Sequence, residues 1–144
     1  MAFYRVKHNE NENIFDPFED YHRPDEWEND SRLDDLDWIS RYEHEAKVLE
    51  YRINEHKLKT ILEIGSGPGG LCKHLDDLGA LDGITYHMID KKNAKKSHDK
   101  REWPGKIFVQ DLRQGVDSKG LLESYDLIIC NDVLEHLPNP TKVI

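Results

Sequence analysis

The sequence has little of several features that define common classes of protein. Its 144 residues include only two cysteines, Cys72 and Cys130, which are too few and too far apart for a disulfide framework or a paired-cysteine metal site. It has no apolar run long enough to span a bilayer, and its N-terminus has no signal-peptide core. Leu, Ile, Val and Phe make up only a quarter of the chain, which allows one domain with a lean core. We therefore expect a soluble, cytoplasmic protein with no membrane partner.

Basic residues are outnumbered, and the excess of acid is concentrated in one segment. The net charge is −9, and residues 10–37 contain 12 acidic residues, two arginines and no periodic apolar pattern. We expect residues 1–32 to form an acidic, weakly ordered segment. It is either a solvated tail or a flap whose aromatic side chains dock over a site.

One basic run interrupts this pattern. It comprises Lys91, Lys92, Lys95, Lys96, Lys100 and Arg101. Acidic residues are interspersed and the chain is acidic overall, so we interpret the run as a solvated helix and expect no nucleic-acid partner.

Short apolar runs alternate with helical periods along the rest of the chain. Residues 33–58 carry apolar side chains at helical spacing and predict one or two helices, and residues 69–78 predict another. Runs that end in glycine or polar residues predict strands at 59–64, 84–89, 106–109 and 125–130. The alternation predicts an α/β fold: an open parallel sheet with helices on both faces and an N-terminal helical extension.

The most informative stretch follows the first predicted strand and reads Glu63-Ile64-Gly65-Ser66-Gly67-Pro68-Gly69-Gly70. In parallel sheets, a glycine turn at this place brings backbone N–H groups and a helix N-terminus to a polar ligand. We call residues 65–70 the glycine loop. Its glycine spacing and the acid Asp90 also fit a dinucleotide fingerprint, so the loop alone does not distinguish a dinucleotide from another adenosine-containing ligand. Glu63 would repel a pyrophosphate and attract an ammonium, and the loop contains no Lys or Arg. These two features favour a cationic ligand.

Three later motifs follow the other predicted strands. They are Asp90, Gln110-Asp111-Leu112, and the segment YDLIICNDVLEHLPNP, which begins with the fourth strand. Together with LEIGSGPGG at residues 62–70, these motifs have the order found in the class I S-adenosylmethionine-dependent methyltransferases. From about residue 58 onward the chain resembles that family. We therefore expect residues 59–144 to form a Rossmann-like cofactor-binding domain with strand order 3-2-1-4 and S-adenosylmethionine as its cofactor.

The resemblance also implies roles for individual residues. Glu63 and the glycine loop, through Gly65, Ser66, Gly67 and Gly69, would hold the amino acid part of the cofactor. Asp90, with Lys91 beside it, would bind the ribose hydroxyls, which suits a carboxylate because it can accept two hydrogen bonds from a diol. Asp111 and Leu112 would contact adenine, and Asn131 would lie beside the methionine and the transferring methyl group.

Catalysis requires little from the protein beyond positioning. Methyl transfer from a sulfonium is an in-line displacement, so the protein orients the acceptor and removes its proton where required. We predict His136 as the base, because its ordinary pKa is near neutrality, and Asn131 as the second catalytic residue; a packing or capping role for His136 stays open. Asp132, Glu135 and His136 would share one face of a predicted helical turn, where they could meet a divalent cation. We nevertheless predict no metal.

Three functions remain open at this point. The leading one is methyl transfer from S-adenosylmethionine to an unidentified acceptor. A non-catalytic S-adenosylmethionine-binding module is the second, because the family usually has seven strands and only four are predicted; the domain is expected to be incomplete at its C-terminus. A nicotinamide-dependent oxidoreductase fits the glycine spacing but not Glu63.

The edge of the fourth strand is expected to pair with a second copy, giving a homo-oligomer.

Overall fold

A computed structural model describes residues 36–143, and the predicted acidic segment at 1–32 lies outside these residues. Three helices are described, α1 (Leu36–His56), α2 (Gly70–Asp77) and α3 (Lys92–Arg101). Four strands alternate with them, β1 (Thr60–Ile64), β2 (Thr85–Asp90), β3 (Lys106–Val109) and β4 (Leu127–Cys130). Short 3₁₀ turns lie at Leu112–Gln114, Leu134–His136 and Pro140–Lys142.

The four strands form one parallel sheet in the order β3-β2-β1-β4, which confirms the predicted fold class and strand order. In the middle of the sheet, Leu62 of β1 lies opposite His87 of β2 and Ile128 of β4. Because every strand runs in the same direction, the carboxyl ends of all four strands meet at one edge. At that edge Asp90 ends β2, and the glycine loop, Asp111 and Asn131 follow the other three strands.

Two apolar clusters cover the two faces of the sheet. On the first face, α1 and α2 pack against β1 and β2, with Ala46 and Leu75 fully buried. On the second face, Leu62, Ile64 and Ile89 meet side chains from the 3₁₀ turns and connecting segments, among them Leu112 and Val133. β1 is therefore buried on both sides, which explains why its sequence TILEI is almost continuously apolar.

The start of β4 differs from the sequence prediction because of a contact with the start of β1. β4 begins at Leu127 rather than at residue 125, because the Asp126 carboxylate accepts hydrogen bonds from the backbone N–H groups of Lys59 and Thr60 at 2.7 and 3.0 Å. α1 is a single helix.

No helix between residues 36 and 143 combines the length and the apolar character needed to cross a membrane.

Candidate functional site

The glycine loop connects β1 to α2 at the carboxyl edge of the sheet. The N–H of Gly65 donates to the Ile89 carbonyl at 2.8 Å, and the N–H of Gly69 donates to the Ser66 carbonyl at 3.1 Å. Gly65 has a φ of 76°, and a Cβ added there would lie 2.1 Å from Cγ2 of Val133. The loop therefore requires glycine at this position, both for its backbone conformation and for its close contact with the segment that follows β4.

Asp90 connects the end of β2 to this loop. It is 2% exposed. One carboxylate oxygen accepts the N–H of Gly67 at 2.7 Å, and the other accepts the N–H of Lys91 at 2.7 Å. The acid predicted to bind ribose thus also fixes the position of the glycine loop.

Glu63 is a buried acid in β1, next to the glycine loop. The Tyr86 hydroxyl donates to its Oε2 at 2.7 Å. Burial raises the pKa of Glu63 to about 8, against the hydrogen bond from Tyr86, and the nearby Asp90 and Glu45 carboxylates raise it further. A cation beside Glu63 would stabilise its ionised form, so this part of the edge has the electrostatics of a cation-binding site.

Helix α1 closes one side of the edge, a feature that the sequence did not reveal. A Cβ added at Gly70 would lie 2.3 Å from Cε2 of Tyr42, so α1 packs directly on the start of α2. The preceding residue, Arg41, forms ion pairs with Asp132 and, at 3.0 Å, with Glu45. The only local signal for these contacts was a cation and an acid four residues apart on one helix.

Asn131 lies where α1 meets the end of β4. Its side-chain nitrogen donates to Oε2 of Glu45 at 3.5 Å. Both residues line a cavity of about 400 Å³ between α1 and β4, and Ile128, which is 56% exposed, lies along the same cavity. Asn131, the residue predicted to lie beside the methyl group, therefore borders open space.

The predicted adenine and ribose residues come together in a second, much smaller cavity. It has a volume of about 20 Å³ and is lined by Asp90, Lys91, Asp111, Leu112, Arg113, Val133 and Leu137. The Arg113 guanidinium lies over Asp111, with Nη2 2.6 Å from Oδ2. This volume is close to that of a single water, so an adenine ring could enter only after the Arg113 side chain moves.

The predicted cluster of Asp132, Glu135 and His136 does not form. His136 is exposed in the short turn Leu134–His136, whereas Asp132 has a left-handed φ of 51° and lies outside the turn. The prediction that the three side chains share one helical face is therefore wrong, because Asp132 has a left-handed backbone conformation and precedes the turn. Within residues 36–143, no three His, Cys, Asp or Glu side chains converge as metal ligands.

Comparison with known proteins identifies the class to which this site belongs. Residues 38–144 match the family described as "Methyltransferase domain", and the chain belongs to that family. The fold and the match together confirm the resemblance to class I methyltransferases and identify methyl transfer as the family's reaction.

Two curated relatives are each named "Ubiquinone biosynthesis O-methyltransferase". The protein from Glaesserella parasuis serovar 5 (strain SH0165) is 34% identical over 92 residues, which cover 60% of this chain and 38% of that protein. The protein from Pasteurella multocida (strain Pm70) is 29% identical over 94 residues, which cover 60% of this chain and 39% of that protein. The chain thus spans less than half the length of the curated relatives it matches.

Proposed function

We propose that the chain binds S-adenosylmethionine at the carboxyl edge of the sheet and transfers its methyl group to an acceptor beside Asn131. The observation that carries the proposal is Glu63, a buried acid next to a glycine loop with no Lys or Arg. A dinucleotide would bring a pyrophosphate to this place, where the Asp90 carboxylate opposes it and where a second anion would further disfavour the ionised form of Glu63. The ammonium and sulfonium of S-adenosylmethionine have the complementary charge.

The residues at the edge fit the remaining parts of this cofactor. Asp90 ends β2 beside the glycine loop, where it accepts the N–H groups of Gly67 and Lys91, and a carboxylate at this place suits the ribose hydroxyls. Asp111 can accept from the amino group of adenine once Arg113 has moved. Leu112 is buried beside it and offers an apolar contact to the ring.

The chemistry divides between the cofactor and the chain. When bound, S-adenosylmethionine supplies both the methyl group and its leaving group. The chain's contribution is to orient the acceptor, and we assign this role to Asn131 and to the α1 residues Arg41 and Glu45, which contact Asp132 and Asn131. His136 remains the predicted base.

We further propose that the acceptor atom is an oxygen. The support is that both relatives are named as O-methyltransferases. A hydroxyl acceptor must lose its proton during transfer, which makes a base useful at this site.

Titration calorimetry tests the proposed cofactor. We expect S-adenosylmethionine and S-adenosylhomocysteine to bind in the micromolar range and NAD to bind much more weakly. Glu63→Gln should weaken the binding of both sulfur ligands. The matched control Asp77→Asn, which removes an exposed carboxylate on α2, should leave it unchanged. Tighter binding of NAD than of either sulfur ligand would overturn the proposal in favour of a nicotinamide enzyme.

A further inference from the structure

Two aromatic side chains from α3 and the segment after it contact four consecutive residues of the glycine loop. His98, on α3, is 4% exposed. Its Nε2 lies 3.5 Å from Oγ of Ser66, and the ring lies close enough to the Gly67 backbone for that backbone to raise the pKa of His98 against the effect of burial. A histidine within the basic helix α3 is thus directed inward at the loop.

Trp103 contacts the next part of the loop. Its indole N–H donates to the Pro68 carbonyl at 3.1 Å. A Cβ added at Gly69 would lie 2.7 Å from Cδ1 of Trp103 and 2.8 Å from Cε1 of His98. The missing side chain at Gly69 therefore leaves the space that both rings occupy.

The protonation of His98 suits a donor to the loop. Burial lowers the pKa of His98 to about 4, so the ring is neutral at physiological pH and carries one N–H. Among the side chains described between residues 36 and 143, Nδ1 of His98 is a buried nitrogen without a hydrogen-bond partner. Placing the proton on Nε2 directs the donor toward the loop and leaves Nδ1 as an acceptor.

We propose that His98 and Trp103 are positioning residues, which hold the glycine loop in its cofactor-receiving conformation before any ligand is bound. The proposal rests on the proposed function of the loop. A glycine-rich loop has many accessible backbone conformations, and restricting them in advance lowers the entropic cost of binding. The two side chains act on the cofactor through the loop and do not themselves touch the reacting atoms.

Amide hydrogen exchange in the ligand-free chain tests the positioning directly. His98→Leu and Trp103→Phe each remove a donor, and each should speed exchange of the Gly69 N–H by about fivefold to tenfold. His98→Gln, which keeps an N–H donor, should remain within about twofold of wild type. The N–H of Gly65, bonded to Ile89 in the sheet, should change little. The matched control His87→Leu alters a histidine that contacts Tyr125, not the loop, and should leave Gly69 unchanged.

Affinity for S-adenosylhomocysteine provides the second measurement. His98→Leu and Trp103→Phe should weaken it by about fivefold to tenfold, and His98→Gln should restore it. If neither variant changes Gly69 exchange, the proposal is wrong. If exchange accelerates while affinity stays the same, the two residues hold the loop but do not prepare it for the cofactor, which also overturns the proposal. A wild-type chain that does not bind this ligand would contradict the proposed function, and Gly69 exchange would still report whether the residues hold the loop. Should His98→Leu not fold, Trp103→Phe provides both measurements.

Discussion

Replacing Gly65 with alanine tests the contact between the glycine loop and the segment after β4. The new Cβ would lie 2.1 Å from Cγ2 of Val133, at a backbone φ of +76°. Val133 is 2% exposed, so it has little room to move away. The substitution therefore combines an unfavourable backbone conformation with a steric clash in the core.

The two costs can be separated with a control that the chain provides. A left-handed conformation costs a non-glycine residue about 1 to 2 kcal/mol, and forcing extra atoms into a packed core costs about 1 to 3 kcal/mol. Gly65→Ala should therefore reduce the free energy of unfolding by about 2 to 5 kcal/mol. Gly79→Ala has a similar φ of +71° with no atom within 4 Å of the added Cβ, so it should show the backbone cost alone.

Urea unfolding of four variants measures the steric part. Val133→Ala alone creates a cavity and should cost about 2 kcal/mol. Because it also removes the clashing methyl group, the double variant Gly65→Ala/Val133→Ala should be more stable than the sum of the single effects by about 1 to 3 kcal/mol. Additivity within about 0.5 kcal/mol, or equal effects of Gly65→Ala and Gly79→Ala, would refute the packing of the loop against Val133.

Three further outcomes are expected. Asp90→Ala removes the acceptor for the Gly67 N–H and should weaken S-adenosylhomocysteine binding by about 1.5 to 3 kcal/mol in calorimetry, with some loss of stability; Asp90→Asn should be milder, and an unchanged affinity in both would remove Asp90 from the site. The pKa of Glu63 is raised to about 8, so its protonated form is the one that favours the folded state. This contribution to the free energy of unfolding is full below the ordinary carboxyl pKa and is lost as the pH rises to 8. A cationic ligand must displace its proton, so S-adenosylhomocysteine affinity should rise between about pH 6 and 7.5, below the titration of the ligand's amino group. Glu63→Gln should abolish that slope, and a flat wild-type profile would contradict the role of Glu63. Finally, the outer edge of β4 has no strand partner within residues 36–143, so the chain should sediment as a dimer or larger species at micromolar concentration and Ile128→Lys should shift it toward monomer; a monomeric wild type would show that this edge does not mediate self-association.

The parts of the fold that were predictable from sequence depend on short-range patterns. TILEI and the glycine loop predicted β1 and the turn after it, because a strand buried on both faces needs an apolar run and the turn needs positive φ. The order of the strands followed from right-handed crossovers and the family resemblance. Asp90 and Asp111 were located for the same reason, since Asp90 ends β2 and Asp111 lies two residues after β3.

Contacts between distant segments were not predictable in this way. Nothing near Arg41 in the sequence indicates that it pairs with Asp132, because the two residues are brought together only by the packing of α1 across the end of β4. The helical turn predicted for His136 required Asp132 to be helical. Asp132 instead has a left-handed backbone at the place where it contacts Arg41 of α1. His98 was hidden in a basic run that was interpreted as solvated, since periodicity shows which face of a helix is apolar but not which polar residue points inward.

The most direct test of the central claim is a map of amide chemical-shift changes when S-adenosylhomocysteine is added to the isotope-labelled chain. We expect the largest changes on the glycine loop, Lys91, Leu112 and Asn131, which lie at the carboxyl ends of β1 to β4. Residues at the opposite edge of the sheet, such as Thr85 and Lys106, should change little. Saturating ligand that shifts no residue of the glycine loop, or that shifts only residues away from this edge, would contradict the claim that the chain binds its cofactor there.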